Sequence, residues 1–215
     1  PLELLERAGI VAALPPDLRP VIDDLQVLWV VESTSDFLLQ GGRTEPGRAR
    51  ICLAEYQTGG RGRRGRQWFA AVGSGVCISV GWCFPAAPAS LSCLGLAAGV
   101  AVLRAVQACG VQNAKLKWPN DLVVEGKKLA GVLVDVQGEA GGPLQVVVGV
   151  GLNYAPDLAS AKLIIGAGGL PPVSLTELSD AASVGRNKIA AELIAAMITV
   201  LQRFTSAGFE SLADE

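Results

Sequence analysis

Histidine is absent from all 215 residues. That excludes Ser-His-Asp and Cys-His catalytic sites and removes the commonest metal-binding side chain. The five cysteines (Cys52, Cys77, Cys83, Cys93 and Cys109) are odd in number, sit in apolar runs and form no C-x-x-C pair. Neither a zinc site nor a disulfide framework is expected, and a reducing cytoplasm is the expected compartment. Acidic residues are missing from the whole interval between Glu55 and Asp121. Every charge there is positive: Arg61, Arg63, Arg64, Arg66, Arg104, Lys115 and Lys117. The chain as a whole carries a formal charge of −2, so this segregation is local, and a general nucleic-acid or membrane-surface binder is disfavoured. No secretory pattern opens the chain. The longest apolar stretch, Leu91 to Val106, is interrupted by Ser92, Gly95, Gly99 and Arg104 and ends at Gly110. A bilayer span needs about 20 apolar residues, so the stretch reads as a buried helix with Ser90 or Ser92 as N-cap and no membrane is expected.

Half of the residues are apolar, enough for one sizeable core. Residues 1–26 hold a short helical pattern (Leu2, Leu5, Ile10) followed by Pro15-Pro16 and Pro20, and read as a linker or the remnant of an upstream domain. Residues 27–215 read as one domain. Strands are expected at Val27–Val31, Ile51–Tyr56, Val76–Phe84 and Leu144–Asn153, with a short one at Lys115–Trp118. Leu122–Glu125, a turn at Gly126 and Lys128–Val136 read as a hairpin. Ser33 or Thr34 can cap a helix running through Leu39. Gly141-Gly142-Pro143 marks a turn, and a Gly/Pro-rich loop is expected to run to about Pro172. The clearest amphipathic helix is Arg186–Phe204, with Ile189, Leu193, Ile194, Met197, Leu201 and Phe204 on one face. Hairpin-like strands with two long helices predict an α+β fold with a mixed, mostly antiparallel sheet flanked by helices.

Residues 60–66 read Gly-Arg-Gly-Arg-Arg-Gly-Arg. Backbone amides and guanidinium forks in such a loop suit phosphate or carboxylate. The run formally matches G-x-G-x-x-G, but it opens no helix and no acid follows about 20 positions on, so the dinucleotide reading fails. The P-loop reading fails too, because Arg66-Gln67 stands where Lys-Ser/Thr is required. A solvated basic loop and a nucleic-acid patch remain open for the run alone. Lys117-Trp118-Pro119-Asn120-Asp121 combines a Pro-directed turn with amide and carboxylate groups suited to a purine edge or a metal–phosphate. Its alternative is a simple turn. Of Lys127 and Lys128, neighbours on a strand, one faces solvent and the other can enter a cleft. Gly149 and Gly151 inside a strand mark a close approach.

Together these stretches resemble the catalytic domain of the biotin protein ligase family, from about Val27 to Phe209. The matching runs are Glu32-Ser33-Thr34-Ser35, Ala54 to Trp68, Lys117 to Asp121, Lys127 to Val134 and Gly149 to Asn153. The resemblance implies a class II aminoacyl-tRNA synthetase-like fold. It also implies ATP-dependent ligation of biotin to a lysine of a biotin carboxyl carrier domain through biotinyl-5′-AMP. By motif, Lys128 and Arg63 would be catalytic. Ser33, Thr34, Ser35, Gln57, Gly60, Arg61, Lys128, Gly131 and Gly149 would bind biotin. Arg63, Arg64, Arg66, Trp68, Lys117, Asn120 and Asn153 would bind ATP, and Asp121 would hold magnesium. The loop Thr58–Trp68 is expected to order over ligand. Ser35 departs from the family pattern, which often has Asn there; a shorter hydroxyl offers less to a ureido group. Family members also carry an N-terminal helix-turn-helix domain in bifunctional forms and usually a small C-terminal β-barrel; neither is expected in this chain, nor is DNA binding by it alone. A homodimer paired through a sheet edge near Gly149–Asn153 is a further implication. The rival readings are a lipoate or octanoate ligase of the same fold and a biotin-binding regulatory core without turnover.

Overall fold

A computed structural model describes residues 2–138, 142–178 and 184–212. Seven strands form one sheet: β1 (Ile22–Val31), β2 (Ala49–Gln57), β3 (Gly75–Phe84), β4 (Lys115–Lys117), β5 (Asp121–Val124), β6 (Lys127–Gly138) and β7 (Leu144–Asn153). Their order is β1-β2-β3-β7-β6-β5-β4. Only β1 and β2 run parallel; every other neighbouring pair is antiparallel. The expected α+β fold with a mixed, mostly antiparallel sheet is what forms. The hairpin turn at Glu125-Gly126 has positive φ at both residues (50° and 79°), which matches the twist of the β5–β6 ribbon.

The two faces of the sheet differ in chemistry because side chains alternate along each strand. One face carries Ile51, Leu53, Ile78, Val80, Val146, Val148 and Leu152 and packs in the main core with three helices: α1 (Arg7–Ala13), α3 (Leu94–Ala108) and α6 (Arg186–Ala207). All six apolar residues expected on one face of α6 are buried. The opposite face carries Ser79, Gly149, Gly151 and Gly131, and is covered at one side by α2 (Thr34–Gln40) through a small cluster of Leu38, Cys52 and Val147. Strand positions without side chains leave room above that face, and the cavity lies there.

Several expectations are corrected. Residues 2–26 are no linker: Leu5, Ile10 and Leu14 belong to the main core, and β1 begins at Ile22. The segment is held by a buried ion pair, Arg186 Nη2 to Glu55 Oε2 at 2.9 Å, whose arginine also donates to the Glu3 carbonyl and whose carboxylate accepts from the Leu5 amide. Neither Ser90 nor Ser92 caps α3; a 3-10 turn over Leu91–Cys93 precedes it, and the Ser90 hydroxyl accepts from the Phe209 amide instead. The region taken as a loop to Pro172 contains α4 (Leu158–Gly166), with Asp157 as N-cap, and a following short helix, α5 (Leu175–Leu178), lies just beyond it. The turn expected at Gly141 begins outside the described residues. The strand that holds Gly149–Asn153 is not itself a sheet edge: β3 and β6 flank β7, and the edges are β1 and β4. The stretches 91–108 and 186–207 are long and apolar enough to cross a bilayer by length and composition, yet about half of each is buried in this core. All five cysteines are free thiols. Burial pushes Cys52 up to about 12 and Cys77 and Cys109 up to about 11, so these three stay protonated at neutral pH.

Candidate active site

Two adjacent rows of the sheet make the floor of a cavity of about 580 Å3. The first row runs Ser79–Gly149–Leu133 and the second Cys77–Gly151–Gly131–Asp121, as the strand registers dictate.

Over the first row sits the N-terminus of α2. Ser33 caps it by accepting from the Asp36 amide at 3.3 Å. Thr34 donates its amide to Gln57 Oε1 at 2.8 Å, and its hydroxyl lies 2.7 Å from Ser79 Oγ. Ser35 Oγ lies 2.9 Å from the same Ser79 oxygen. Buried hydroxyls need partners, and these three satisfy one another around Ser79, which is fully buried. Gly149 is glycine because a Cβ there would stand 2.7 Å from Ser35 Oγ. Its expected role of letting a ligand lie on backbone is thus joined by a second one, admitting a side chain. Ser79 was not singled out from the sequence; its only signal was a lone hydroxyl in the strand Val-Cys-Ile-Ser-Val.

Over the second row lies Trp68. A Cβ at Gly151 would fall 2.2 Å from its indole, so the ring rests directly on backbone there. Lys128 Nζ sits 5.5 Å from the Trp68 ring and pairs with Asp121 Oδ1 at 2.6 Å. Lys127 points to solvent, as the strand alternation required. The Lys128 backbone is fixed on both sides: its amide donates to Pro171, its carbonyl accepts from Val173 and from Asn153 Nδ2 at 3.0 Å. Asn153, expected at ATP, lines the cavity and uses its amide to hold the Lys128 carbonyl.

The arginine loop closes on itself between Gly60 and Trp68. The Trp68 amide donates to the Gly60 carbonyl at 2.9 Å and the Gly62 amide to Arg66 at 2.7 Å. Gly60, expected to touch ligand, is instead enclosed by this closure: a Cβ there would lie 2.7 Å from the Trp68 carbonyl oxygen. Arg61, expected among the biotin-binding residues, lines the cavity with its guanidinium shared by Asp36 at 2.6 Å and Asp135 at 3.2 Å. Burial raises the Asp135 carboxyl above its usual range, Arg61 opposing. Arg63 reaches Asn120 Oδ1 at 3.5 Å, while Asn120 donates its amide to the Val132 carbonyl at 2.7 Å. Arg64, Arg66 and Lys117 are exposed at the mouth. Trp118-Pro119 is a cis peptide bond, and Trp118 is exposed.

Every residue assigned by motif to catalysis, biotin, ATP or magnesium lines this one cavity except Gly60. α4 and the turn after it add Ile164, Gly168, Gly169 and Leu170, from the stretch expected to be a Gly/Pro-rich loop. The lining carries Arg61, Arg63, Arg64, Arg66, Lys117 and Lys128 against a single acid, Asp121. Among the described residues no three His, Cys, Asp or Glu side chains cluster as a metal centre.

An uncharged hydroxyl-and-amide pocket opens onto a cation-lined mouth, a chemistry suited to a ligand with a polar neutral head and an anionic end. Residues 27–153, more than half of the chain, match the Biotin/lipoate A/B protein ligase family, and the chain belongs to that family. It is 34% identical over 209 residues to the bifunctional ligase/repressor BirA of Escherichia coli (strain K12), covering 97% of this chain and 61% of that one. It is 36% identical over 170 residues to the biotin–[acetyl-CoA-carboxylase] ligase of Mycobacterium tuberculosis, covering 76% of this chain and 58% of that one. The chain thus spans about three-fifths of the length of these relatives. Among solved structures it resembles the biotin protein ligase from Aquifex aeolicus in complex with biotin and ATP, with a TM-score of 0.69 and 25% identity over 88% of this chain and 75% of that one.

Proposed function

We propose that this chain ligates biotin to a lysine of a biotin carboxyl carrier domain, at the expense of ATP, in the cytoplasm. The observation that carries this reading is the shape of the cavity: neutral hydroxyls at Ser79 on one floor row and Lys128 over the next, with the arginine loop at the rim. A ureido ring asks for neutral donors and acceptors; its valerate carboxylate and a nucleotide phosphate ask for fixed cations. The named relatives are biotin ligases, which favours biotin over lipoate or octanoate.

In the first half-reaction the biotin carboxylate attacks the α-phosphate of ATP. The new bond is a mixed anhydride and pyrophosphate leaves. No proton transfer is required, which suits a chain without histidine. Two anions must meet, and Lys128 and Arg63 cancel their repulsion with charge already in place. The backbone bonds at Lys128 fix the point from which its side chain enters the cavity, and Asp121 and the Trp68 ring hold its ammonium there. In the second half-reaction the carrier lysine, as the free amine, attacks the anhydride carbonyl; the C–O bond to AMP breaks, AMP leaves as the phosphate monoester, and the nitrogen gives up one proton to solvent. Lys128 and Arg63 both line the cavity, which supports turnover over a regulatory core that only binds.

A magnesium ion brought in on the triphosphate would neutralise the phosphate charge. With one lining carboxylate, Asp121, already paired to Lys128, the residues fit an ion held mainly by phosphate oxygens and not a protein cage. The test is transfer: incubation with biotin, ATP, magnesium and a carrier domain should add one biotinyl group to the acceptor lysine by mass spectrometry. An unmodified carrier domain, with the same domain biotinylated by a control ligase, contradicts the proposal.

A further inference from the structure

Two separate segments wall the cavity away from the Ser79 row. One is the arm that follows the arginine loop and carries Trp68 and Phe69; the other is α4 with the turn after it, which supplies Ile164 and Leu170. Asp157 joins them. Its Oδ1 accepts from the Ala159 and Ser160 amides, both at 3.1 Å, which is ordinary capping of α4. Its Oδ2 does something a cap does not need: it accepts from the Ala71 amide at 3.0 Å, three residues beyond Trp68. The same oxygen takes the Ser160 hydroxyl at 2.5 Å; the Ser74 hydroxyl stands 3.5 Å away and gives its proton to the Ala71 carbonyl at 2.8 Å. A backbone junction lies beside it, where the Tyr154 and Ala155 amides both donate to the Ser74 carbonyl at 2.9 Å. The Ala71 carbonyl joins that junction by accepting from the Ser74 amide at 3.0 Å, while the Ala71 amide is tied to α4 through the carboxylate.

We propose that Asp157 is a positioning residue that couples the Trp68 arm to α4, so that the two walls of the nucleotide half of the cavity hold one arrangement together. It touches neither biotin nor ATP. Naming that half as the nucleotide's rests on the ligase reading above. Burial raises the Asp157 carboxyl, but the hydrogen bonds from Ser160, Ala71 and Ala159 outweigh it and hold it below the usual range, as a cross-link by an ionised carboxylate requires.

The discriminating variant is Asp157→Asn. An asparagine oxygen still caps α4, while its NH2 group turns a donor toward the donors that met Oδ2. A helix cap alone therefore survives the substitution and the cross-link does not. Asp157→Ser is the second variant; serine caps well and is too short to reach Ala71, and it introduces no amide to clash. In ligand-free protein, hydrogen exchange should quicken both in 68–74 and in 158–166. In kinetics, the KM for ATP should rise about tenfold, the loss of one charge-assisted bond, with the KM for biotin unchanged. Faster exchange in α4 only, no change in either segment, or equal rises in both KM values would overturn the proposal. If the wild-type chain forms no adenylate from biotin, the ligase reading falls, while the exchange pattern in the ligand-free variants still decides whether the cross-link exists.

Discussion

Gly149 lacks a side chain because Ser35 occupies the space a Cβ would take, 2.7 Å from the hydroxyl. Gly149→Ala should push Ser35 off Ser79, cost about 1–3 kcal/mol in urea unfolding as overpacking does, and weaken biotin binding. Adding Ser35→Ala removes the atom in conflict, so the double variant should be less destabilised than the sum of the two singles; simple additivity would contradict the contact. At this scale the sequence was legible where a residue type is costly without a purpose: glycine inside a strand, or a lysine at the start of an apolar one. It was not legible where a common residue is used locally. Ser79 and Asn153 carry no unusual chemistry; only the strand register brings one beneath Ser35 and the other to the Lys128 carbonyl. Arg61 shows the opposite case, a residue whose motif suggested a ligand and whose nearest partners are Asp36 and Asp135.

Among the elements, strands were read to within a few residues because alternation and β-branching are properties of neighbours in the chain. The N-terminal segment was misread because what holds it is remote: the Leu5 amide meets Glu55 at a separation of 50 residues and Glu3 meets Arg186 at 183. Arg186→Met would leave the buried Glu55 carboxylate uncompensated. It should cost about 3–5 kcal/mol in urea unfolding, and less when Glu55→Met accompanies it. An equal or greater loss in the double variant would mean the pair contributes net stability. α4 escaped notice because it ends at Gly166 with Gly168 and Gly169 close behind, and its apolar residues Leu158, Leu163 and Ile165 are exposed, leaving no periodic buried face. Its attachment should respond to acid. The Asp157 and Glu177 carboxyls both lie below their ordinary values in the folded chain, Asp157 because its hydrogen bonds outweigh burial and Glu177 because of the Ser174 hydroxyl and amide. A folded value below the unfolded one stabilises the fold above the unfolded value, about pH 4, and that stability is lost as pH falls through the folded value. The difference in Tm between wild type and Asp157→Asn should therefore narrow on acidification below pH about 4; a constant difference would show that ionisation of Asp157 is irrelevant.

For the whole molecule, the division of labour is between the two faces of one sheet. Side chains on one face build a core with α1, α3 and α6, and glycines and serines on the other leave a cavity that cations then surround. The acid-free interval from 56 to 120 was the sequence trace of that arrangement, because it supplies all the lining cations except Lys128. Salt should accordingly raise the KM for ATP more than that for biotin, since exposed charges at the mouth are screened within about 10 Å at 0.1 M. Similar salt dependence for both would place the two ligands otherwise. The central claim, that this cavity joins biotin to a nucleotide under Lys128, is tested most directly by pyrophosphate–ATP exchange. It should be run with biotin, lipoate and octanoate on the wild-type chain and on Lys128→Ala. The account predicts exchange with biotin alone, reduced at least about 100-fold in the variant. Exchange driven by lipoate or octanoate, or no exchange by a chain that measurably binds biotin, would contradict it.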